Sequence, residues 1–149
     1  VKSFLQFVNE NYVNFSDYNL QQKFNHYNSL LFDGKIPPCP ITFARLQDHS
    51  GVTYFKQWHG KVVPGTVRIE ISTHYKNTER QLDSTLIHEM VHAYLCAVQG
   101  DPEAHHGVAF RRMAQKVGRK IGFTIALADR LEDFEVNTPN NVIPFRRKF

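Results

Sequence analysis

Residues 85–97 read TLIHEMVHAYLCA, which places His88 and His92 four positions apart, with Glu89 directly after the first, among side chains that are nearly all apolar. Burying an imidazole or a carboxylate without a partner costs on the order of several kcal/mol, so this segment calls for something that binds all of them. On a helix, residues i and i+4 lie one turn apart on one face, and His88 and His92 therefore direct ring nitrogens at a single point. A zinc ion fits that point. Glu89 is rotated away from the pair, yet it reaches a water in the metal's open position, as in the H-E-x-x-H helix of zinc peptidases. The competing reading makes the histidines ordinary surface groups and Glu89 a salt-bridge partner. An apolar helix disfavours it, because an accidental charged triplet is costly there.

A catalytic zinc ion takes three protein ligands, and two histidines leave it one short. The metzincin continuation H-E-x-x-H-x-x-G-x-x-H fails, since Leu95 stands at the glycine position and Val98 at that of the third histidine. Gly100-Asp101-Pro102 stops the helix, so AHHGVAF can return toward the metal with Glu103, His105 and His106 as candidates. Ligand chemistry prefers histidine. Spacing does not choose between the adjacent two.

Positioning these groups requires a core, and 149 residues with 42% hydrophobic side chains are enough for one domain spanning 1–149. Ser16 and Asp17 read as an N-cap, after which Leu20, Phe24, Tyr27 and Leu31 recur at helical spacing until Asp33-Gly34. SFLQFVNENY before it reads as a further short helix. After IPPCP come three strand candidates, Ile41 to Leu46, Gly51 to Phe55 and Val67 to Ser72. The third alternates, with Val67, Ile69 and Ile71 on one face and Arg68, Glu70 and Ser72 on the other, as a half-buried strand does. From Asp83 to Gln99 apolar residues surround the helical wheel, which predicts a central helix. A second helix, Val108 to Lys120, carries the stripe Phe110, Met113, Ala114, Val117 and Ile121. FEVNT reads as one more strand before a basic end, FRRKF.

The chain resembles the SprT-like zinc metallopeptidases, whose eukaryotic branch includes Spartan, a DNA-dependent protease of DNA–protein crosslinks. The resemblance rests on FNHYNSLLFDGKIP, GVTYF, VRIEIS, LIHEMVHAYL and HHGVAFRRM, and it covers most of the chain. In that family a histidine of an H-G-x-x-F element supplies the third ligand, which corresponds to His106, followed by Gly107 and Phe110. The resemblance thus implies Zn2+ on His88, His92 and His106, with Glu89 as catalytic base and His105 as a neighbour. It implies an α+β, zincin-like domain: N-terminal helices, a small sheet of three or more strands, the H-E-x-x-H helix and a following basic amphipathic helix. The cysteine-rich zinc module that follows this part in many members has no counterpart here, which bears on DNA-linked regulation more than on catalysis.

Less specific signals complete the reading. Tyr54, His59 and His74 are candidate donors to a tetrahedral intermediate. VRIEIS either borders the cleft and pairs with an extended substrate or is wholly internal. Trp58 either stacks on a base or an unfolded substrate or anchors packing. Arg112, Lys116, Arg119 and Lys120 fall at i, i+4, i+7 and i+8, a ridge that either binds DNA or is a solvated helix face. The net charge of +4 and a pI near 9.1 permit an acidic partner without requiring one. Cys39 and Cys96 show no C-x-x-C spacing, which fits a reducing compartment better than a disulfide framework. No run is long and apolar enough to span a bilayer, and no secretion signal is seen, so the expectation is no membrane association and a cytoplasmic site, nuclear in a eukaryote. The rival functions are a zinc-containing DNA-binding module and a peptidase unrelated to nucleic acid. Three histidines with a glutamate placed for acid–base work favour catalysis over a structural zinc site, where cysteine is prominent.

Overall fold

The computed structural model describes residues 12–102, 105–127 and residue 136. Helix α1 (Leu20–Phe32) starts at Asn19, whose side chain accepts from the Gln22 amide at 3.0 Å. Ser16 and Asp17 are not its cap: they belong to a short 3-10 turn (Phe15–Asp17), which is itself capped by Asn14. Asparagine caps as well as serine or aspartate does, so the nearer Asn19 takes the role. The helix ends as expected, with Asp33 left-handed at φ 54° and Gly34 following at φ 68°. Leu20, Phe24, Tyr27 and Leu31 all face the core.

Three strands, β1 (Ile41–Ala44), β2 (Gly51–Tyr54) and β5 (Arg68–Ser72), form a mixed sheet in the order β1-β5-β2, parallel at β1·β5 and antiparallel at β2·β5. The first strand is shorter than the predicted 41–46. At its end the Ser72 hydroxyl donates to the Leu46 carbonyl at 2.6 Å and accepts from the Leu46 amide at 3.3 Å, so a side chain takes over from the ladder. The alternation of β5 holds for Ile69 and Ile71, which are buried, and for Arg68, which is exposed; that same bonding takes Ser72 inside. With a strand on each side, β5 is internal. It therefore offers no edge to a substrate, and the expectation of strand addition there is corrected: the outer strands are β1 and β2, of which β2 lines the cleft.

A two-stranded hairpin, β3 (Gln57–Trp58) and β4 (Lys61–Val62), interrupts the polar stretch between β2 and β5. Its tip is His59-Gly60, at φ 51° and 74°. Positive φ at both central residues is the turn that matches strand twist, usually built from Asn-Gly, and histidine in the first place hid it from the sequence reading.

The long helix α2 (Glu79–Ala97) begins four residues before the predicted Asp83, because Thr78 and Gln81 form a reciprocal capping box in the segment NTERQ. It ends at Ala97 rather than Gln99, and Gly100 at φ 66° brings the Asp101 amide back to the Leu95 carbonyl at 2.9 Å. It is the centre of the molecule, packing on α1, β2, β5 and the last helix, α3 (Val108–Ile121). On α3, Phe110, Ala114 and Val117 are buried, while Met113 and Ile121 are half-buried. Gly118 matters here, since a Cβ would stand 3.0 Å from the Phe123 carbonyl oxygen: the chain doubles back against α3 at once.

No helix among the described residues is long and apolar enough to cross a membrane. The predicted helix SFLQFVNENY lies outside the described residues except for Tyr12, which forms an isolated bridge with Thr78. FEVNT and FRRKF also lie outside them, apart from Val136, bridged to Tyr75.

Candidate metal centre

The central helix turns His88 and His92 toward one point, and the return of the chain at Gly100 brings His106 to meet them. His106 Nε2 stands 3.1 Å from His88 Nε2 and 3.2 Å from His92 Nε2, and the three nitrogens lie within 4.8 Å of one another. A single N–H on His106 serves only one of two such neighbours, so the cluster is not a self-sufficient hydrogen-bond network. Two nitrogens bound at about 2.0–2.1 Å to one tetrahedral ion sit about 3.3 Å apart, and the observed spacings fit that donor set.

The surroundings prepare the rings for the same task. His88 Nδ1–H donates to the Ala126 carbonyl at 2.7 Å, which fixes the tautomer and leaves Nε2 with a lone pair. Ala126 reaches this place because the chain folds back after Gly118. Phe110, fully buried, wedges its ring among the three imidazoles, with centroid distances of 4.8, 4.4 and 4.9 Å to His88, His92 and His106. Burial, followed by the neighbouring His88, His106 and His105, pushes His92 down to about 3, so its ring is neutral and able to ligate at ordinary pH.

Glu89 is almost wholly buried, at 2% exposure. The Thr53 hydroxyl on β2 donates to its Oε1 at 2.8 Å, and its Oε2 lies 3.9 Å from His88 Nε2. Gly51, two residues earlier on the same face of β2, leaves room for this carboxylate: a Cβ there would stand 3.0 Å from Glu89 Cγ and 3.2 Å from Oε2. Glu89, His92 and His106 open into a cleft of about 250 Å³ bounded by Val52 and Phe55 on one wall, His49 and His105 at the rim, and Cys96 and Pro102. Cys96 continues the helical stripe one turn beyond His92. Burial and then Asp101 push its thiol up to about 11, so it stays protonated.

The structure brings His88, His92 and His106 together and places Glu89 beside them. His105 is exposed at the cleft rim and stands outside the three-histidine group. Glu103 lies outside the described residues. None of the three guessed donors lines the cleft. The Tyr54 ring carries the Arg68 guanidinium 3.9 Å above it, and the hydrogen bond of its hydroxyl to Glu70 raises its pKa. His59 is at the hairpin tip, and His74 is buried with its ring edge-on to Tyr75. Trp58 is 71% exposed, which overturns the packing-anchor reading. Arg112, Lys116, Arg119 and Lys120 are all exposed along α3. Sequence reasoning missed Gly51, Thr53, His49 and Cys96. For Cys96 the i+4 step from His92 was a usable signal, and for Gly51 and Thr53 the two-residue period of β2 was, once the facing helix is known.

No curated protein sequence matches the chain. A profile of the SprT-like family matches residues 20–137, a span that holds α1, the sheet, the three histidines, Glu89 and α3. That match covers most of the 149 residues, and with the metal-competent histidine cluster inside it, the chain belongs to the SprT-like family.

Proposed function

We propose that the chain is a zinc-dependent endopeptidase. The observation that carries this reading is the convergence of three Nε2 atoms beside a buried, oriented glutamate in a cleft walled by β2, an outer strand of the sheet. His88, His92 and His106 would hold the ion through Nε2. Bound there, zinc supplies Lewis acidity, which lowers the pKa of water toward neutrality and polarises a carbonyl.

The chain's own groups do the rest. Glu89 takes the water's proton at Oε2, on the side of His88, while Oε1 keeps its bond from Thr53; the same oxygen then gives that proton to the leaving amine. Among the described residues β2 has β5 as its only strand partner, so its other edge is available to hold an extended peptide by backbone pairing. Main-chain pairing of that kind gives weak sequence preference, which suits a protease of varied protein substrates.

We extend the proposal to substrates associated with DNA, on two surface features. The ridge of Arg112, Lys116, Arg119 and Lys120 lies on the helix that follows the third histidine. The hairpin presents Trp58 between Lys56 and Lys61, within a segment, 49–69, that contains no aspartate or glutamate. Lysines suit phosphates and an exposed indole suits a base face. Such an enzyme would work in the cytoplasm, or in the nucleus of a eukaryote. A zinc-containing DNA-binding module without peptidase activity and a peptidase unrelated to nucleic acid are the alternatives. Metal analysis coupled to a protease assay, run with and without single-stranded and duplex DNA, separates the three. Stoichiometric zinc with no cleavage under any condition would leave the binding module, and cleavage indifferent to DNA would leave the unrelated peptidase.

A further inference from the structure

The contact between β2 and the central helix carries more than packing. Glu89 is a long side chain with three rotatable bonds, and a carboxylate that must meet a proton at one place gains from being held in one rotamer. Two features of β2 hold it. The Thr53 hydroxyl donates to Oε1 at 2.8 Å, and the missing side chain of Gly51 opens a slot that a Cβ, 3.0 Å from Cγ and 3.2 Å from Oε2, would close. The same hydroxyl also lies 3.1 Å from the Glu89 carbonyl oxygen, but it has one hydrogen, and the shorter contact to the ionisable oxygen is the stronger claim on it.

We propose that Thr53 is a positioning residue for Glu89: its hydroxyl binds Oε1 and so assigns proton transfer to Oε2, the oxygen 3.9 Å from His88 Nε2. The proposal rests on Glu89 acting as the base. Thr53 also belongs to β2, an outer strand that lines the cleft, so the backbone proposed to align a peptide and the hydroxyl that aligns the base move as one piece. A peptide pulling β2 out of register would therefore misplace the carboxylate. Correct seating of the substrate and correct orientation of the base are a single geometric event.

The test compares Thr53→Val, which keeps the branched shape and loses the donor, with Thr53→Ser, which keeps the donor and loses a methyl. Both are prepared zinc-loaded, with Glu89→Gln alongside. Thr53→Val should lose about 10- to 100-fold in kcat with KM changed less than about threefold and zinc content unaltered, and Thr53→Ser should recover most of that loss. A crystal structure of Thr53→Val should show the Glu89 carboxylate in a second rotamer, a readout that does not depend on turnover. Wild-type kcat in Thr53→Val, or equal impairment in Thr53→Ser, would overturn the positioning role. If Thr53→Val loses zinc or melts far below the wild type, the pair Thr53→Ala and Thr53→Ser decides it in the same way, equal kcat being the overturning result. Failure of the underlying reading looks different: Glu89→Gln would then turn over as fast as the wild type.

Discussion

Asp83 and Glu89 sit on the same helix, both buried, and the protein treats them in opposite ways. Asp83 has donors on both oxygens: the Tyr18 hydroxyl gives to Oδ1 at 2.5 Å, the Tyr27 hydroxyl gives to Oδ2 at 2.8 Å, and Lys23 Nζ stands 3.2 Å from Oδ1. These partners come from α1 and the segment just before it, so the carboxylate ties that layer to the central helix. Glu89 has a hydroxyl on one oxygen and turns the other toward His88. A carboxylate bound at both oxygens by phenols and a lysine contributes to the fold, whereas one oriented by a hydroxyl beside three imidazoles stands where the proposed hydrolysis needs a proton acceptor. The two acids are alike in burial and differ in what meets them: Asp83 is held by α1 and the segment before it, Glu89 by β2 and the histidine cluster.

Neutralising each acid should reveal the division. Glu89→Gln should retain zinc and lose about 10³-fold or more in kcat, because the water has no proton acceptor. Asp83→Asn should do the reverse, lowering stability by about 2 kcal/mol through weakening of the phenol hydrogen bonds and loss of the partly buried ion pair with Lys23, while the surviving folded protein turns over nearly as before. Chemical denaturation beside steady-state kinetics checks both. A strong kcat defect in folded Asp83→Asn would break the comparison.

The candidate metal ligands sharpen it next. His106→Ala should lose most of its zinc, whereas His105→Ala, altering an exposed rim residue, should keep it. Anomalous scattering with His105 on the metal and His106 turned away would reverse the assignment.

Alkaline pH probes the structural acid by itself. Burial first, then hydrogen bonding to Asp83, raises the phenol pKa of both Tyr18 and Tyr27. A phenol raised on folding contributes stability that is complete below its unfolded value, about 10, and is lost as pH rises above it. Denaturation midpoints should therefore fall above about pH 10 in the wild type and fall less in Tyr18→Phe, which should itself be about 1 kcal/mol less stable at neutral pH.

The smallest effect belongs to the surface. Lys116→Glu with Arg119→Glu should leave zinc and basal cleavage intact. DNA affinity, measured by fluorescence anisotropy at two salt concentrations, should weaken several-fold for all sequences alike, with a shallower salt slope. Unchanged affinity would make the ridge a solvated helix face.

What could be read from the sequence was local. The i, i+4 step of His88 and His92 and the alternation of Ile69 and Ile71 depend only on neighbours along the chain, and both stand in the structure. The choice of His106 over His105 came from a family pattern, since spacing leaves adjacent residues equivalent. The sequence reading starts the central helix at Asp83, where apolar residues begin to surround the wheel, and so misses the Thr78–Gln81 box one turn earlier; Asp83 itself is bound by Tyr18 and Tyr27. Thr53 and Gly51 were beyond reach for a different reason. Their role exists only once β2 lies against the helix, 36 positions away along the chain for Thr53 and Glu89.

That difference in range has a kinetic side. His88, His92 and His106 are separated by at most 18 positions, and the element that carries them together is a helix, a turn and the start of the next helix. Contacts of short sequence separation close cheaply and early, while the docking of β2 on the helix, 36 positions apart at Thr53 and Glu89, requires a longer loop to close. A chain whose sheet has not yet docked can already hold the three candidate nitrogen ligands together. On the proposed reading, zinc content in a preparation reports that the helical part has formed, and it says little about whether the glutamate has been set in place; a measurement sensitive to the strand, such as exchange protection of the Gly51–Tyr54 amides, would distinguish a loaded protein from a competent one.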